Sequence, residues 1–203
     1  SMRANLVSRL VRADMRLGFD RARARDWQWL FSNRKIAARP NQHAMDALFG
    51  FAEHLGIHER MLRWDFAISA ADREIADQLR AGPRPVCIIS PCTSQRFRNY
   101  RNWRVENYVA VARHLIDTQG AQIVLTGGPT ETEQSYGAAI SAGLGSLPEG
   151  QLSNLIGKTS LKQLYAVLQI ADLLICPDSG PAHMATAAGT PVIGLYATSN
   201  PLR

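Results

Sequence analysis

Short, nearly continuous apolar segments alternate with amphipathic ones through the latter part of the chain. The apolar segments predict buried strands at residues 86–90, 122–126, 173–176 and 192–196, with a weaker one at 153–156. The amphipathic segments predict helices at 105–118, 131–142, 160–171 and 181–188. Strands that lack polar alternation and are separated by helices are typical of a parallel sheet covered on both faces. The pattern therefore predicts an α/β fold class with a doubly wound, Rossmann-like sheet.

The first part of the chain has a weaker pattern and ends at a break. Helical spacing of apolar residues predicts one helix at 42–56, with Gly56 as its stop, and a second at 69–79. The segment Arg80-Ala-Gly-Pro-Arg-Pro85 then contains two prolines and a glycine within six residues. Such a segment is typical of a linker. We therefore predict a domain boundary there, with one domain at 1–84 and another at 85–203.

Composition narrows the class of protein. The chain has 203 residues, of which 46% are hydrophobic and three are cysteines, which excludes disordered, collagenous and disulfide-stapled chains. No apolar run reaches the roughly 18 residues that a membrane span requires. The odd number of cysteines, the absence of a C-x-x-C pair and the absence of a charged-then-apolar leader favour a reducing compartment. These features predict a soluble, cytoplasmic protein.

The positive charge is concentrated in the first part of the chain. Residues 1–84 hold fifteen Lys and Arg against ten acids, which accounts for +5 of the net +6. This asymmetry favours an anionic partner, namely nucleic acid, a membrane surface or a phosphorylated substrate, although a solvated helical face explains it equally well. Arg21, Arg23 and Arg25 alternate, and a helix would scatter them around its axis. That spacing argues against a helix that tracks DNA.

Ligands of doubly wound sheets bind beyond the carboxyl ends of the strands, so the loops there are the candidate site. The segment Asp178-Ser-Gly-Pro-Ala-His183 runs from a buried strand into a helix, with Ser179 or Gly180 suited to the N-cap and Pro181 to the first helical position. A helix start with unpaired N–H groups and little side-chain bulk can accept a phosphate. The alternative is a capped turn in which Asp178 bonds the backbone and His183 packs.

The loops after the first two strands of this sheet carry charged residues. Arg96, Arg98 and Arg101 follow the first strand, where fixed cations could neutralise a diphosphate or could simply be solvated. Glu131 follows the second strand, where its carboxylate could bind both hydroxyls of a ribose. It could equally be a first-turn acid that interacts favourably with its helix dipole.

Other motifs are incomplete. Gly157-Lys-Thr-Ser160 lacks the earlier glycine of a phosphate-binding Walker loop, and Thr159 or Ser160 is better suited to capping the following helix. Ser179 lacks the preceding glycine of a nucleophile elbow. No His and Cys cluster has metal-ligand spacing, so no metal or other cofactor is predicted.

Taken together, these motifs resemble glycosyltransferase family 9, the heptosyltransferases of lipopolysaccharide core assembly. The resemblance is carried by the segment from Asp178 through Gly189-Thr-Pro191 to Tyr196, by Ser90-Pro-Cys-Thr-Ser94 and Arg101-Asn-Trp103, and by Gly127-Gly-Pro-Thr-Glu131 and Thr159-Ser-Leu-Lys-Gln-Leu164. Leu17-Gly-Phe-Asp20 and His43-Ala-Met-Asp46 resemble the latter part of the family's acceptor-side domain. The similarity extends over nearly the whole chain.

The resemblance implies a GT-B architecture and an inverting, metal-independent transfer of heptose from ADP-heptose to the lipopolysaccharide inner core. By this resemblance Asp178, Ser179, Gly180 and Pro181 hold the diphosphate and donor sugar, with His183 beside them. Glu131 binds the ribose, Thr93 or Ser94 contacts the phosphates, and Thr159 lies near the adenine. Arg101 stands where the family commonly has Lys, which keeps the charge but changes its geometry. The implied acceptor is the lipopolysaccharide core at the inner face of the inner membrane, rather than nucleic acid.

The chain departs from the family pattern at both ends. The family's catalytic base is an Asp in a glycine-rich context early in its first domain, and Asp14 and Asp20 lie in a different context. We therefore expect residues 1–84 to be the latter part of the acceptor domain and residues 85–203 an incomplete donor domain, inactive alone. Three alternatives stay open: a nucleotide-binding module without transferase activity, a related GT-B enzyme that uses another nucleotide sugar, and a nucleic-acid-binding protein.

Overall fold

Two structural units make up the chain in the computed structural model, which describes residues 1–80, 82–93 and 101–196. The first unit includes Ser1–Arg63, and the second includes 64–196. No helix among the described residues is long and apolar enough to cross a membrane.

Short elements build the first unit. They are helix α1 (Met2–Leu10), strand β1 (Leu17–Gly18), a 3-10 turn at Gln28–Leu30, strand β2 (Arg34–Lys35) and helix α2 (Ala44–His54). The two strands pair in parallel, Leu17 with Arg34 and Gly18 with Lys35. Helix α2 confirms the helix predicted at 42–56. The strands are too short to give a period-two pattern, so the sequence analysis did not predict them.

Helix α1 was not predicted either, because its polar side faces the unit. Asn5 is buried and its side-chain amide donates to the Asp26 carbonyl at 2.7 Å. Leu6 and Val7 are exposed. A helix with a buried amide and exposed apolar residues lacks the inward apolar stripe on which periodicity analysis depends.

A buried ion pair connects the segments of the first unit. Asp20 is 8% exposed, accepts from the Arg23 Nε–H and from the Ala22 N–H, and Arg23 also donates to Gln42 and to the Ala37 carbonyl. Burial alone would raise the pKa of Asp20, but these hydrogen bonds and the charge of Arg23 hold it below its usual value. The pair therefore joins the turn after β1 to the segment after β2.

We expect Arg23→Met to destabilise the first unit by about 1–3 kcal/mol, because it leaves a buried carboxylate without its charged donor. The lowered pKa makes the wild-type contribution of Asp20 present above its unfolded-state pKa of about 4, and lost as the pH falls through the folded value. Urea melts at pH 7 and pH 3 measure both effects. The difference between wild type and variant should shrink at pH 3, and an equal difference at both values would contradict this account.

Helices and a five-stranded sheet form the second unit. Its elements, in chain order, are α3 (Ala70–Leu79), β3 (Val86–Ile89), α4 (Val105–Gln119), β4 (Gln122–Leu125), α5 (Glu131–Leu144), β5 (Leu152–Asn154), α6 (Leu161–Gln169), β6 (Leu173–Pro177), α7 (Gly180–Ala188) and β7 (Val192–Leu195). The strands are all parallel, in the order β5-β4-β3-β6-β7. Each strand predicted in this region is present.

Side chains of the central strands alternate between two apolar cores. Cys87 and Ile89 of β3 face the core that contains residues of α4 and α5. Val86 and Ile88 face the core that contains residues of α3, α6 and α7. Both faces of the sheet are thus covered, which explains why the strands are apolar without alternation.

The boundary between the units lies earlier than the predicted one between Arg84 and Pro85. The units divide at Arg63 and Trp64, so α3 belongs to the second unit. The reason is that Ala76 of α3 is 2% exposed and joins the core formed with Leu164 and Leu168 of α6. The proline- and glycine-rich segment therefore leads from a packed helix into the first strand of the same sheet.

Candidate functional site

The topological switch point of the sheet lies between β3 and β6. From β3 the chain continues through α4 to β4 on one side, and from β6 it continues through α7 to β7 on the other. In sheets of this kind the crevice that binds ligands lies at the switch point, beyond the carboxyl ends of the strands. Arg101 and Asp178 meet there, with 3.9 Å from the Arg101 Nη1 to the Asp178 Oδ2 and a 3.4 Å hydrogen bond to the Asp178 carbonyl.

The start of α7 presents backbone with little side-chain bulk. Ser179 is the N-cap, but its hydroxyl donates to the Pro177 carbonyl at 3.0 Å and makes no cap hydrogen bond. Gly180 is exposed, and a Cβ atom there would meet no atom within 4 Å. Pro181 is the second helical residue rather than the first, because the helix already begins at Gly180. An open, uncapped helix start of this kind can accept an anion.

His183 lies in the first turn of α7 with its side chain exposed. Its neighbour Ala182 is buried in the core beneath the helix. The histidine that the sequence analysis considered as a packing residue thus faces outward.

Thr93 occupies the loop after β3 and is 4% exposed. Its N–H donates to the Asn102 Oδ1 at 2.9 Å, and its hydroxyl donates to the same oxygen at 3.3 Å. Below it, the buried hydroxyl of Tyr108 donates to the Pro91 carbonyl at 3.1 Å, and burial raises the pKa of Tyr108. Ser94, Arg96 and Arg98 lie outside the described residues.

Two glutamates near the loop after β4 have different environments. Glu133 accepts from the Gly128 N–H at 2.8 Å and from the Thr130 hydroxyl at 2.6 Å. Glu131, the first residue of α5, is exposed and has no hydrogen-bond or ion-pair partner among the described residues. Because Glu133 fastens the helix start, the carboxylate of Glu131 is available to a ligand.

Thr159 is half-buried and directly precedes α6. The N-cap is Ser160, which forms a capping box with Gln163. Of the two predicted cap residues, Ser160 therefore caps the helix, and Thr159 lies in the loop after β5.

Sequence reasoning missed two residues that shape this edge of the sheet, Asn102 and Glu133. The spacing of Thr130 and Glu133 matches a capping-box pattern and could have identified the second. Asn102 stands within the Arg101-Asn-Trp103 segment that carries the resemblance, but no spacing rule identified Thr93 as its partner.

The cysteines near the site are poor nucleophiles. Burial raises the pKa of Cys92 to about 12, with a smaller effect from the nearby Glu133 charge. Burial also raises the pKa of Cys176 to about 11. Both are therefore thiols at neutral pH. Within residues 1–80, 82–93 and 101–196, no group of three or more His, Cys, Asp or Glu side chains could hold a metal ion.

A model of glycosyltransferase family 9 (heptosyltransferase) matches residues 1–203. The chain is 38% identical, over all 203 residues, to the lipopolysaccharide core heptosyltransferase OpsX of Haemophilus influenzae. It covers 56% of that relative, and so spans about half of its length. The predicted resemblance is therefore confirmed at the level of the family.

Solved structures share the fold. A family 9 glycosyltransferase of Veillonella parvula superposes with a TM-score of 0.74 at 21% identity, covering 100% of this chain and 56% of the other. The heptosyltransferase WaaC of Escherichia coli with ADP gives 0.72 at 23% identity, covering 100% and 59%. These likenesses confirm the α/β, GT-B-like fold class, of which this chain represents a part.

Proposed function

We propose that this chain, which belongs to glycosyltransferase family 9, binds the nucleotide-sugar donor ADP-heptose and takes part in heptose transfer to the lipopolysaccharide core. The observation that carries the proposal is the meeting of Arg101, Asp178 and the open start of α7 at the switch point of the sheet. The similar OpsX is a lipopolysaccharide core heptosyltransferase, and a structure of WaaC holds ADP.

The diphosphate belongs, in this proposal, at the start of α7. Its oxygens would accept from backbone N–H groups around Ser179 and Gly180, where the helix dipole favours negative charge. Pro181 fixes the first turn, His183 stands beside it, and Thr93 lies across the crevice with Ser94 following it in sequence. These contacts would stabilise the ADP that leaves when the glycosidic bond forms.

Arg101 supplies the fixed positive charge of the proposed site. Its side chain is 17% exposed and Asp178 holds it at the crevice. A guanidinium directs several donors at once, so it can bridge two phosphate oxygens. Arg101 and the start of α7 would then stabilise the negative charge that develops on the leaving ADP in an inverting, metal-independent displacement. No general base is assigned among the described residues.

The nucleoside belongs between the loops after β4 and β5. Glu131 would accept from both ribose hydroxyls, and Thr159 would lie beside the adenine. The acceptor, an anionic lipopolysaccharide core at the inner face of the inner membrane, would meet the basic first unit, whose sequence region carries most of the net positive charge.

We expect Glu131→Ala to weaken ADP binding about tenfold, because the charged hydrogen bonds from the two ribose hydroxyls together contribute on the order of 1.5 kcal/mol. Calorimetry with ADP measures this directly. Glu106→Ala is the matched control, since Glu106 is also an exposed first-turn acid, in α4. ADP binding by the control should equal that of the wild type.

The same titration separates the proposal from its alternatives. A folded wild-type chain that does not bind ADP would overturn it, and so would equal binding by wild type and Glu131→Ala. Tighter binding of another nucleoside diphosphate would favour a related enzyme with a different donor. A full-length relative in which the variant loses ADP binding but keeps heptose transfer would contradict donor binding at this site.

A further inference from the structure

The carboxylate of Glu133 fastens the loop after β4 to the first turn of α5. Its two oxygens take different partners, the Gly128 N–H at 2.8 Å and the Thr130 hydroxyl at 2.6 Å. The Thr130 hydroxyl in turn accepts from the Glu133 N–H at 3.3 Å. An ordinary capping box returns to the N-cap N–H, whereas this carboxylate reaches two residues further back. It therefore fixes the loop as well as the helix end.

The loop lies so close to this carboxylate that a side chain at either of its glycines would displace it. A Cβ atom at Gly128 would lie 2.9 Å from the Glu133 Oε2, and one at Gly127 would lie 3.2 Å from the Oε1. Both distances are shorter than ordinary van der Waals contact. The Gly-Gly pair after β4 thus allows the backbone to close on Glu133.

The loop after β5 is bonded to the same segment. The Gly157 N–H donates to the Gly127 carbonyl at 2.9 Å. Gly157 has a φ of +74°, and a Cβ atom there would lie 3.2 Å from the Pro129 Cα. Position 157 therefore requires glycine both for its backbone conformation and for its close approach to the neighbouring loop.

Helix α5 is packed onto the loop after β5 as well. Ile156 is 6% exposed and belongs to the core beneath α5. A Cβ atom at Gly137, in the middle of α5, would lie 2.6 Å from the Ile156 Cδ1. The helix that begins with Glu131 and the loop that contains Thr159 are therefore held together at two levels, by Ile156 and by Gly157.

From these contacts we infer that Glu133 is a positioning residue, which locks the loops after β4 and β5 into one rigid clamp for the nucleoside. This inference rests on the proposed function. By fixing the segment from Gly127 to Thr130, Glu133 sets the position of the adjoining Glu131 and, through Gly157, its spacing from Thr159. Ribose and adenine would then bind to a preformed surface, so the two loops lose little conformational freedom on binding.

The test measures coupling between Glu133 and the ribose hydroxyls. Calorimetry compares ADP with 2′,3′-dideoxy-ADP for the wild type, Glu133→Ala and Glu133→Gln. We expect Glu133→Ala to lose about tenfold in ADP affinity and less than about twofold in dideoxy-ADP affinity. The nucleotide without hydroxyls does not use Glu131, and the packing of Ile156 beneath α5 still holds the loop that contains Thr159. Glu133→Gln keeps an acceptor for Gly128 and a polar partner for Thr130, so it should retain ADP affinity within about threefold.

Asp72→Ala is the matched control, because Asp72 forms a capping box with Ser69 at the start of another helix, α3. We expect it to lower stability without changing either affinity. Hydrogen exchange provides a second measurement, in which Glu133→Ala should speed exchange of the Gly128 and Gly157 amides.

The outcomes separate this inference from the function on which it rests. Equal losses for ADP and dideoxy-ADP in Glu133→Ala would overturn the positioning role, as would unchanged ADP affinity or unchanged exchange at Gly157. In those cases ADP binding by the wild type and its loss in Glu131→Ala would leave the proposed function intact. A wild-type chain without ADP affinity would overturn both.

Discussion

Gly180→Val is expected to reduce ADP affinity about 100-fold, equivalent to about 2.7 kcal/mol, while leaving the stability of the chain within about 0.5 kcal/mol of the wild type. A Cβ atom at position 180 meets nothing within 4 Å, so the fold accommodates a side chain there. The same open space is where, in our proposal, a phosphate must approach the backbone N–H groups of α7. Valine would fill that space with two methyl groups.

Calorimetry with ADP and thermal melts of the same samples provide the measurement. Gly82→Val is the matched control, since Gly82 also has no atom within 4 Å of a built Cβ and has no positive φ. It lies in the segment before β3, at the opposite end of that strand from Thr93. A folded Gly180→Val chain with wild-type ADP affinity would show that the nucleotide does not bind at the start of α7.

The sheet of the second unit could be predicted because strands buried on both faces have continuously apolar sequences. Ile88 and Ile89 point to opposite sides of β3, yet both are fully buried. Neither position tolerates a polar residue, so the segment is continuously apolar. The candidate site followed from the sheet, because the carboxyl ends of parallel strands lie at one edge.

The unit boundary could not be predicted because it depends on long-range packing. The glycine and prolines after Arg80 mark a turn, but a turn does not reveal which partner the preceding helix packs against. Ala76, with the partly buried Ile75 and Leu79, packs into the core that contains residues of α6, and this packing joins segments far apart in the chain. Local composition contains no information about that contact.

The distinct roles of the two glutamates after β4 also required coordinates. Glu131 and Glu133 are both first-turn acids, and the helix dipole favours either one equally. What distinguishes them is direction: the side chain of Glu133 turns back toward Gly128, whereas that of Glu131 faces outward. Because Glu133 is bonded to its own loop, Glu131 is the acid that we propose binds the ligand.

The second large effect concerns Tyr108, which supports the site from below. Its side chain is fully buried, packs edge-on against Trp103 with ring centroids 5.4 Å apart, and bonds the Pro91 carbonyl. Tyr108→Ala is expected to cost about 3–5 kcal/mol, because it leaves a cavity between α4 and the sheet. Tyr108→Phe keeps the ring and should cost about 1 kcal/mol, the contribution of one hydrogen bond. Urea denaturation at pH 7 measures both.

Measurements at alkaline pH separate the contribution of the Tyr108 hydroxyl from that of its ring. The pKa of Tyr108 is raised by burial, so its stabilising contribution is complete below the unfolded-state value of about 10 and is lost as the pH rises toward the folded value. The difference in stability between wild type and Tyr108→Phe should therefore narrow as the pH rises above about 10, since phenylalanine has no proton to lose. A constant difference up to pH 11 would contradict a neutral, buried hydroxyl that donates to the Pro91 carbonyl.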